Sequence, residues 1–391
     1  MLNALLLLLL AAGQLELLVT LVNRLHACRV HGPALRLLRD THELLIVLMP
    51  VALAGLLGWQ GSELLADGSW RQLPWAWRLY LSICAFGAAG MIYSALRYAS
   101  RRPPQAQRSN HTHVRRVSDE LGHKPVGAGP YRLLTRVPFN QIFEVEVSEK
   151  VYEFARLPAA WDGLSILHLS DVHFIGTIGL EFFQQVMEMA RETRPDVVVF
   201  TGDLLDDMRL LDWLPDTFGR LPAPLGRYFI LGNHDWDLEP EQIRGHMAEL
   251  GWQDVAGRTL CLGGDQPAAH GKPPLVVGGS ELPWMGHHPD YSAHPDAAFR
   301  ILLSHTPDNL PWARRQGVDL MLSGHNHGGQ VVLPLIGPVY SPSVYGCRYA
   351  SGAFDVPPTL LYVSRGISGR HPLRWRCRPE LTKLVLRHAK S

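Results

Sequence analysis

The chain has 391 residues and a formal net charge of +1, and 47% of its residues are hydrophobic. This length predicts two or three domains, and the nearly neutral charge excludes a strong overall attraction to nucleic acid, so no nucleic-acid partner is expected. Five scattered cysteines, an odd number without a Cys-x-x-Cys pair, argue against a disulfide framework or a cysteine-based zinc site.

The first hundred residues contain three apolar segments, which are Met1–Val22, Leu44–Trp59 and Leu79–Leu96. A membrane-spanning helix needs about 20 mostly apolar residues. The first segment has this length but carries Gln14 and Glu16, so whether it spans the membrane or lies on it stays open. It lacks the basic start and the small-residue cleavage site of a signal peptide. We therefore predict a transmembrane helical region over residues 1–97, with buried helices of a soluble domain as the alternative.

Basic residues flank these apolar segments unevenly. Four arginines lie between residues 23 and 42, and six lie between residues 97 and 116. Because positively charged loops stay on the cytoplasmic side of a membrane, the N-terminus is predicted outside and everything beyond residue 97 inside. The pattern therefore predicts a multi-pass protein of the inner (cytoplasmic) membrane.

Residues 98–144 are predicted to form a basic linker. The stretch from Ser100 to Arg116 is rich in arginine, contains two prolines and has neither helical nor strand periodicity. Contact with anionic lipid headgroups and a plain solvated linker are both compatible with this composition.

Residues 145–391 alternate between apolar strands and amphipathic helices. The run DVVVFT is typical of a strand buried on both faces of a sheet. The stretch GLEFFQQVMEMARET has apolar residues at helical spacing, and PEQIRGHMAELG begins with proline and ends with glycine, as helices do. We predict a layered α/β domain.

Polar residues directly follow five of the predicted strands. They are Asp171, His173, Asp203, Asn233, His234, Asp235, His305, His325 and His327. Asp and Asn are common in turns, but five strands that end alike predict a ligand site at the carboxyl edge of the sheet. In an extended segment the last two histidines would point to the same side. These donors are too many for one tetrahedral zinc and suit two divalent cations such as manganese, iron or zinc.

The blocks D-x-H, G-D, G-N-H-D, H and G-H-N-H resemble, in the same order, the motifs of the calcineurin-like metallophosphoesterases. The resemblance covers residues 145–391 and implies an α/β fold in which a layered β-sandwich is flanked by helices. It implies two divalent metal ions, with manganese expected first and iron or zinc as alternatives. One ion would be held by Asp171, His173 and His327. The other would be held by Asn233, His305 and His325, with Asp203 as the bridge.

The same resemblance implies a catalytic pair. His234 would stabilise the transition state and protonate the leaving oxygen. Asp235 would fix the orientation of the His234 ring and favour its charged form. Arg365 and Arg370 are candidates for binding substrate phosphate, with solvated surface arginines as the alternative interpretation.

The tail from residue 328 onward resembles membrane-associated bacterial phosphoesterases, a group that includes a UDP-2,3-diacylglucosamine pyrophosphate hydrolase. This implies a metal-dependent phosphoesterase that hydrolyses a phosphate ester or pyrophosphate of a membrane lipid or lipid-linked nucleotide, with the catalytic domain facing the cytoplasm. Soluble nucleotides and small phosphodiesters are the alternative substrates, and a catalytically silent membrane scaffold is a third hypothesis. The exact substrate and the oligomeric state stay open.

Overall fold

The computed structural model describes residues 1–27, 68–263, 273–296 and 298–389, together with isolated positions between 37 and 55. The chain forms two compact units. The first unit comprises Met1–Arg101 and Val332–Arg348, and the second comprises Arg102–Val331 and Tyr349–Ser391. The boundary near residue 101 lies close to the predicted end of the membrane region, whereas the membership of Val332–Arg348 in the first unit has no signature in the sequence.

The α-helices of the described residues are α1 Leu2–His26, α2 Trp75–Ala99, α3 Val117–Leu121, α4 Leu180–Glu192, α5 Asn233–Trp236, α6 Pro240–Glu249 and α7 Leu310–Arg315. The strands are β1 Gln107–Arg116, β2 Glu144–Phe154, β3 Ser165–Leu169, β4 Val197–Thr201, β5 Arg227–Ile230, β6 Gln253–Asp254, β7 Thr259–Cys261, β8 Leu275–Ser280, β9 Phe299–Ser304, β10 Leu320–Ser323, β11 Val332–Leu333, β12 Gly337–Pro338, β13 Gly352–Val356, β14 Thr359–Val363 and β15 Glu380–His388.

The first unit is built on two apolar helices. Both α1 and α2 are long and apolar enough to cross a membrane. They pack closely where Gly13 faces α2, since a Cβ atom on this glycine would lie 2.0 Å from the carbonyl oxygen of Cys84. Small residues permit such close helix crossings. The apolar segment predicted over Leu44–Trp59 lies for the most part outside the described residues.

The segment Val332–Arg348 packs within the same unit. It contains the short antiparallel pair of β11 and β12. The backbone N–H of Ser341 donates to Asn23 Oδ1 at 3.0 Å, and both residues are buried. A hydrogen bond between these two positions therefore ties the segment to helix α1.

The second unit contains two mixed sheets. The first has the strand order β1-β2-β15-β3-β4-β5-β6, and the second has the order β13-β14-β10-β9-β8-β7. Strands β3, β4 and β5 run parallel to one another, as do β9 and β10. In each group the carboxyl ends of the strands therefore lie at the same edge of the sheet.

The two sheets pack face to face, and helices cover the first sheet. In β4, Val197 and Val199 belong to the apolar core shared with Ile301 of β9. Val198 and Phe200 belong to the core that includes α4 and α6. A strand covered on both faces reads as a continuous apolar run, and all five residues of β4 are buried. The predicted α/β sandwich flanked by helices is confirmed.

Part of the predicted linker forms the edge strand β1. It pairs antiparallel with β2 over nearly its whole length. None of its ten side chains is buried, so it shows no apolar alternation in the sequence. Strand pairing uses backbone groups that every non-proline residue carries. The sequence, which predicts a basic linker over residues 98–144, therefore gives no sign of this strand.

Candidate metal centre

The predicted site residues emerge from the carboxyl ends of strands in both sheets. Loops after β3, β4 and β5 carry those of the first sheet, and loops after β9 and β10 carry those of the second. Because the two sheets face each other, these five loops meet at one edge of the sandwich. The structure brings all seven predicted ligand residues together there.

One group of donors contains Asp171, His173, Asp203 and His327, whose ligand atoms lie within 4.8 Å of one another. The Nε2 atoms of His173 and His327 are 3.2 Å apart. His173 Nε2 lies 3.4 Å from Asp203 Oδ2, and His327 Nε2 lies 3.5 Å from Asp171 Oδ1.

A second group contains Asp203, His305 and His325, also within 4.8 Å. His305 Nε2 is its central atom, 3.2 Å from Asp203 Oδ2 and 3.2 Å from His325 Nδ1. Asn233 Oδ1 joins the group at 3.1 Å from the same nitrogen. Asp203 is thus shared between these two groups. A third group, of His173, Asp206 and His234, shares His173 with the first.

These separations fit two divalent cations. Atoms bound at about 2.0–2.2 Å to one ion, with tetrahedral or octahedral angles, are roughly 3.0–3.5 Å apart. Oxygen and imidazole donors without thiolate suit manganese, iron or zinc. Asp171 and Asp203 are both almost fully buried, and neighbouring buried carboxylates require positive charge close by.

The electrostatics of the cluster follow from burial and crowding. Burial raises the pKa of Asp171 above its ordinary value. Burial also opposes ionisation of Asp203, but the positive charges of His305 and His234 hold its pKa well below the usual range. Of these two carboxylates, the shared Asp203 is therefore the one that is kept as an anion.

Five of the seven predicted ligands have left-handed backbone, with φ of 52° at Asp171, 50° at His173, 59° at Asp203, 68° at His325 and 48° at His327. Residues other than glycine rarely adopt this conformation, and it costs about 1–2 kcal/mol at each position. His325 and His327 therefore do not lie on the extended segment that their spacing suggests. They reach the cluster from a tight turn and contact different groups of donors.

Gly324 allows this turn to rest on Asp171. A Cβ atom at this position would lie 2.3 Å from Asp171 Oδ2 and 1.8 Å from Ser170 Oγ. Without that atom, the N–H of His325 donates to both carboxylate oxygens of Asp171, at 3.0 Å each. The loop after β10 and the loop after β3 are held together in this way.

Asp235 does not contact the His234 ring, contrary to the role predicted from the resemblance. Its carboxylate is fully buried and accepts hydrogen bonds from the backbone N–H groups of Asp203, Leu204, Leu205 and Gly232, at 2.8–3.0 Å. Asp235 therefore fixes the backbones of the loops after β4 and β5. Both of its oxygens accept from these backbone donors, so the side chain is directed away from the role of a partner to the His234 ring.

Asp206 is the partner of His234 and was not predicted. Its Oδ1 atom accepts from His234 Nδ1 at 2.6 Å, and its Oδ2 atom accepts from His173 Nδ1 at 2.8 Å. Burial opposes the charged form of His234, but Asp203 and Asp206 raise its pKa to about 9. The signal in the sequence is a second aspartate three residues after Asp203, in the loop GDLLD.

Two further residues shape the site. The ring of Trp284 is nearly buried, with its centroid 4.9 Å from that of His325 and 5.6 Å from that of His305. Arg370 is exposed, and its charge acts on the His234 imidazole. Arg365, by contrast, pairs with Glu380 and Glu146 at 2.6 and 2.5 Å. Of the two arginines considered for phosphate binding, only Arg370 is exposed.

An α/β sandwich whose edge gathers buried carboxylates and imidazoles into two groups with one shared aspartate defines a metal-dependent hydrolase. Comparison with known proteins gives the family, since the model of the calcineurin-like phosphoesterase family matches residues 164–329. The chain is 33% identical over 258 residues to the uncharacterized metallophosphoesterase YkuE of Bacillus subtilis. These residues make up 62% of this chain and 86% of YkuE.

Two other relatives carry more informative names. The phosphodiesterase YaeI of Escherichia coli is 30% identical over 223 residues, which is 56% of this chain and 81% of the relative. The UDP-2,3-diacylglucosamine pyrophosphatase LpxG of Chlamydia muridarum is 25% identical over 282 residues, which is 58% of this chain and 85% of the relative. The chain belongs to the calcineurin-like phosphoesterase family and is a metal-dependent phosphoric ester hydrolase.

Proposed function

We propose that this enzyme hydrolyses a phosphate ester or pyrophosphate of a membrane lipid or of a lipid-linked nucleotide. The observation that carries the proposal is the buried cluster of donors, in which two of three overlapping groups share Asp203. The described part of the chain also has two helices of membrane-spanning length. The similarity to LpxG, which is named for a pyrophosphatase of a diacylated sugar nucleotide, supports a lipid-linked substrate.

Each group of donors would hold one divalent cation. Asp171, His173 and His327 would hold the first. Asn233, His305 and His325 would hold the second, with Asp203 between the two. Manganese is proposed first, with iron or zinc as alternatives. When bound, such a pair lowers the pKa of a water molecule and stabilises charge on the phosphoryl oxygens.

His234 is proposed as the general acid. Asp206 accepts a hydrogen bond from its Nδ1 atom at 2.6 Å and so fixes the ring and its tautomer. The Nε2 atom on the other edge of the ring would then donate a proton to the leaving oxygen. The side chain is 25% exposed, unlike the buried His173 beside it, and so is open to a substrate. Arg370 would bind a substrate phosphate oxygen from the solvent side.

The proposed location is the inner (cytoplasmic) membrane, with several spans and the catalytic unit in the cytoplasm. The two long apolar helices indicate association with a membrane. The arginines beyond residue 96 support the cytoplasmic orientation.

The role of His234 is tested with His234→Ala. Turnover of a chromogenic phosphodiester, with added manganese and in detergent, should fall by about 10²- to 10⁴-fold, as for loss of a general acid. The metal content should stay unchanged, because His234 is not in the proposed ligand set. The matched control is His113→Ala, an exposed histidine of β1 that should leave turnover unchanged. Wild-type turnover in His234→Ala would contradict the assignment.

The substrate class is tested by incubating the enzyme with extracted membrane lipids and then searching for a lost phosphate-containing headgroup by mass spectrometry. Hydrolysis of a lipid species supports the proposal. An unchanged lipid profile together with cleavage of soluble nucleotides would contradict the lipid-linked substrate. No turnover of any phosphate ester with any divalent metal would instead favour a catalytically silent scaffold.

A further inference from the structure

Segment 131–139 of the second unit, with the sequence YRLLTRVPF, presents apolar side chains to solvent. Leu133 is 68% exposed and Phe139 is 85% exposed. Tyr131 and Val137 are also exposed. Soluble surfaces rarely expose so many large apolar side chains in so short a stretch, and such patches mark contact sites.

The segment has a defined shape. Residues Arg132–Arg136 form a 3-10 helix, and Thr135 Oγ1 donates to the carbonyl of Arg132 at 2.7 Å. Asn140 Nδ2 donates to the carbonyls of Leu134 and Pro372, at 2.8 and 2.7 Å. The apolar side chains are therefore held outward by a hydrogen-bonded framework.

The same framework joins the segment to the catalytic edge. Thr177, four residues after His173, donates through Oγ1 to the carbonyl of Pro130 at 2.5 Å. The backbone N–H of Arg374 donates to Asn140 Oδ1 at 2.9 Å, and its guanidinium donates to the carbonyl of His327 at 2.8 Å. Segment 131–139 thus lies on the rim of the metal centre.

The charge of this rim is positive. No Asp or Glu occurs between Glu120 and Glu144, whereas Lys124, Arg132 and Arg136 do. Both arginines of segment 131–139 are exposed. The stretch 367–376, which packs against the segment, contains no acidic residue and two more exposed arginines, Arg370 and Arg376. Such a surface repels a second copy of itself and attracts a surface that is negatively charged.

We propose that segment 131–139 is a membrane contact, which inserts Leu133 and Phe139 between the headgroups of an anionic bilayer and places Arg132 and Arg136 at lipid phosphates. Exposed apolar side chains next to basic ones are the combination that interfacial membrane binding requires. The contact would direct the rim of the metal centre toward the bilayer surface. This proposal deepens the proposed function. The membrane contact itself can be tested independently, whereas the conclusion that it serves a lipid-linked substrate rests on the proposed function.

The full chain is reconstituted in vesicles of phosphatidylcholine with phosphatidylglycerol, with p-benzoylphenylalanine in place of Phe139. Irradiation should give a phospholipid adduct at position 139, detected by mass spectrometry, with a higher yield than the same photoprobe in place of the exposed Val114. If the Phe139 variant does not fold, the photoprobe replaces Leu133 instead. Absence of a lipid adduct, or crosslinks only to this chain or to a second copy, would overturn the proposal.

A second variant separates charge from apolar contact. In the photoprobe-bearing chain, Arg132→Gln with Arg136→Gln should lower the adduct yield by about fivefold for each arginine removed. The decrease should vanish in vesicles of phosphatidylcholine alone. An equal yield in both kinds of vesicle from the chain that retains Arg132 and Arg136 would overturn the role of the two arginines.

Activity provides an independent readout. Leu133→Ser with Phe139→Ser should leave hydrolysis of a soluble chromogenic phosphodiester unchanged and should reduce hydrolysis of phosphate esters embedded in vesicles. Equal activity of this variant and the wild type on embedded esters would contradict the proposed contact. If the wild type hydrolyses no phosphate ester, the proposed function fails, while the photoprobe still decides whether segment 131–139 contacts lipid.

Discussion

Asp206→Asn is the most informative single substitution at this centre. Asp206 is 6% exposed, and each of its two carboxylate oxygens accepts a hydrogen bond from a different histidine. Asparagine has nearly the same shape but offers one acceptor oxygen and one donor NH₂ group. One of the two imidazole N–H groups must then face another donor.

The size of the effect follows from the lost contact. A hydrogen bond to a charged group contributes about 1.5–3 kcal/mol, and an unsatisfied buried donor adds a similar penalty. A loss of about 3 kcal/mol corresponds to roughly a 100-fold decrease in kcat/KM. If His173 is the histidine left unsatisfied, metal affinity should fall by about 10- to 100-fold. If His234 is affected, kcat should fall while metal remains bound.

The assay measures turnover of a chromogenic phosphodiester as manganese is titrated, together with the bound metal content. Asp207→Asn is the matched control, since this neighbouring aspartate contacts the exposed Arg209 and should tolerate the change. Full turnover and full metal occupancy in Asp206→Asn would refute the inference that one carboxylate supports both histidines.

Three further predictions concern ligation and stability. Asn233→Ala and His325→Ala should each abolish hydrolysis of the chromogenic diester, and full activity of His325→Ala would contradict the ligand assignment. Asp235→Asn should lower the free energy of unfolding by about 3 kcal/mol, because four backbone donors lose their anionic acceptor. As the control, Asp212→Asn at an exposed position should leave the thermal unfolding temperature unchanged. Glu380 lies in a buried network in which burial opposes ionisation but Lys150 and Arg365 lower its pKa to about 2. Since the folded pKa lies below the unfolded value, its contribution to stability is complete above pH 4.5 and is lost as the pH falls toward 2. Glu380→Gln should remove this part of the acid dependence of the unfolding midpoint, and an unchanged pH profile would refute the role of the network.

The sequence predicts the layout of the catalytic unit well, for a clear physical reason. Strands such as β4 are covered on both faces and so read as continuous apolar runs. Parallel strands place their carboxyl ends at one edge, so the first polar residue after each strand is a candidate ligand. The spacing of the five blocks, together with the family resemblance, was enough to select seven residues that lie together in the structure.

Features that depend on backbone contacts are not visible in the same way. Strand β1 pairs through backbone groups and has no buried side chain, so no pattern of residue types marks it. Asp206 and Asp235 are both aspartates near a predicted ligand, and only the path of the loops decides which one contacts an imidazole. The packing of Val332–Arg348 with helix α1 includes a hydrogen bond between two residues that are more than three hundred positions apart in the sequence.

The left-handed backbone of five predicted ligand residues links the stability of the fold to the metal site. At about 1–2 kcal/mol each, five such residues cost roughly 5–10 kcal/mol, which is comparable to the entire net stability of a typical domain. Residue type is a weak signal of this conformation, because Asp and His are several-fold enriched in it but mostly occupy ordinary backbone. The surrounding hydrogen bonds, such as those from the N–H of His325 to Asp171, offset part of it. Cations bound at this site would attract the buried carboxylates and would offset more of the cost. We therefore expect metal binding and the conformation of these loops to stabilise each other.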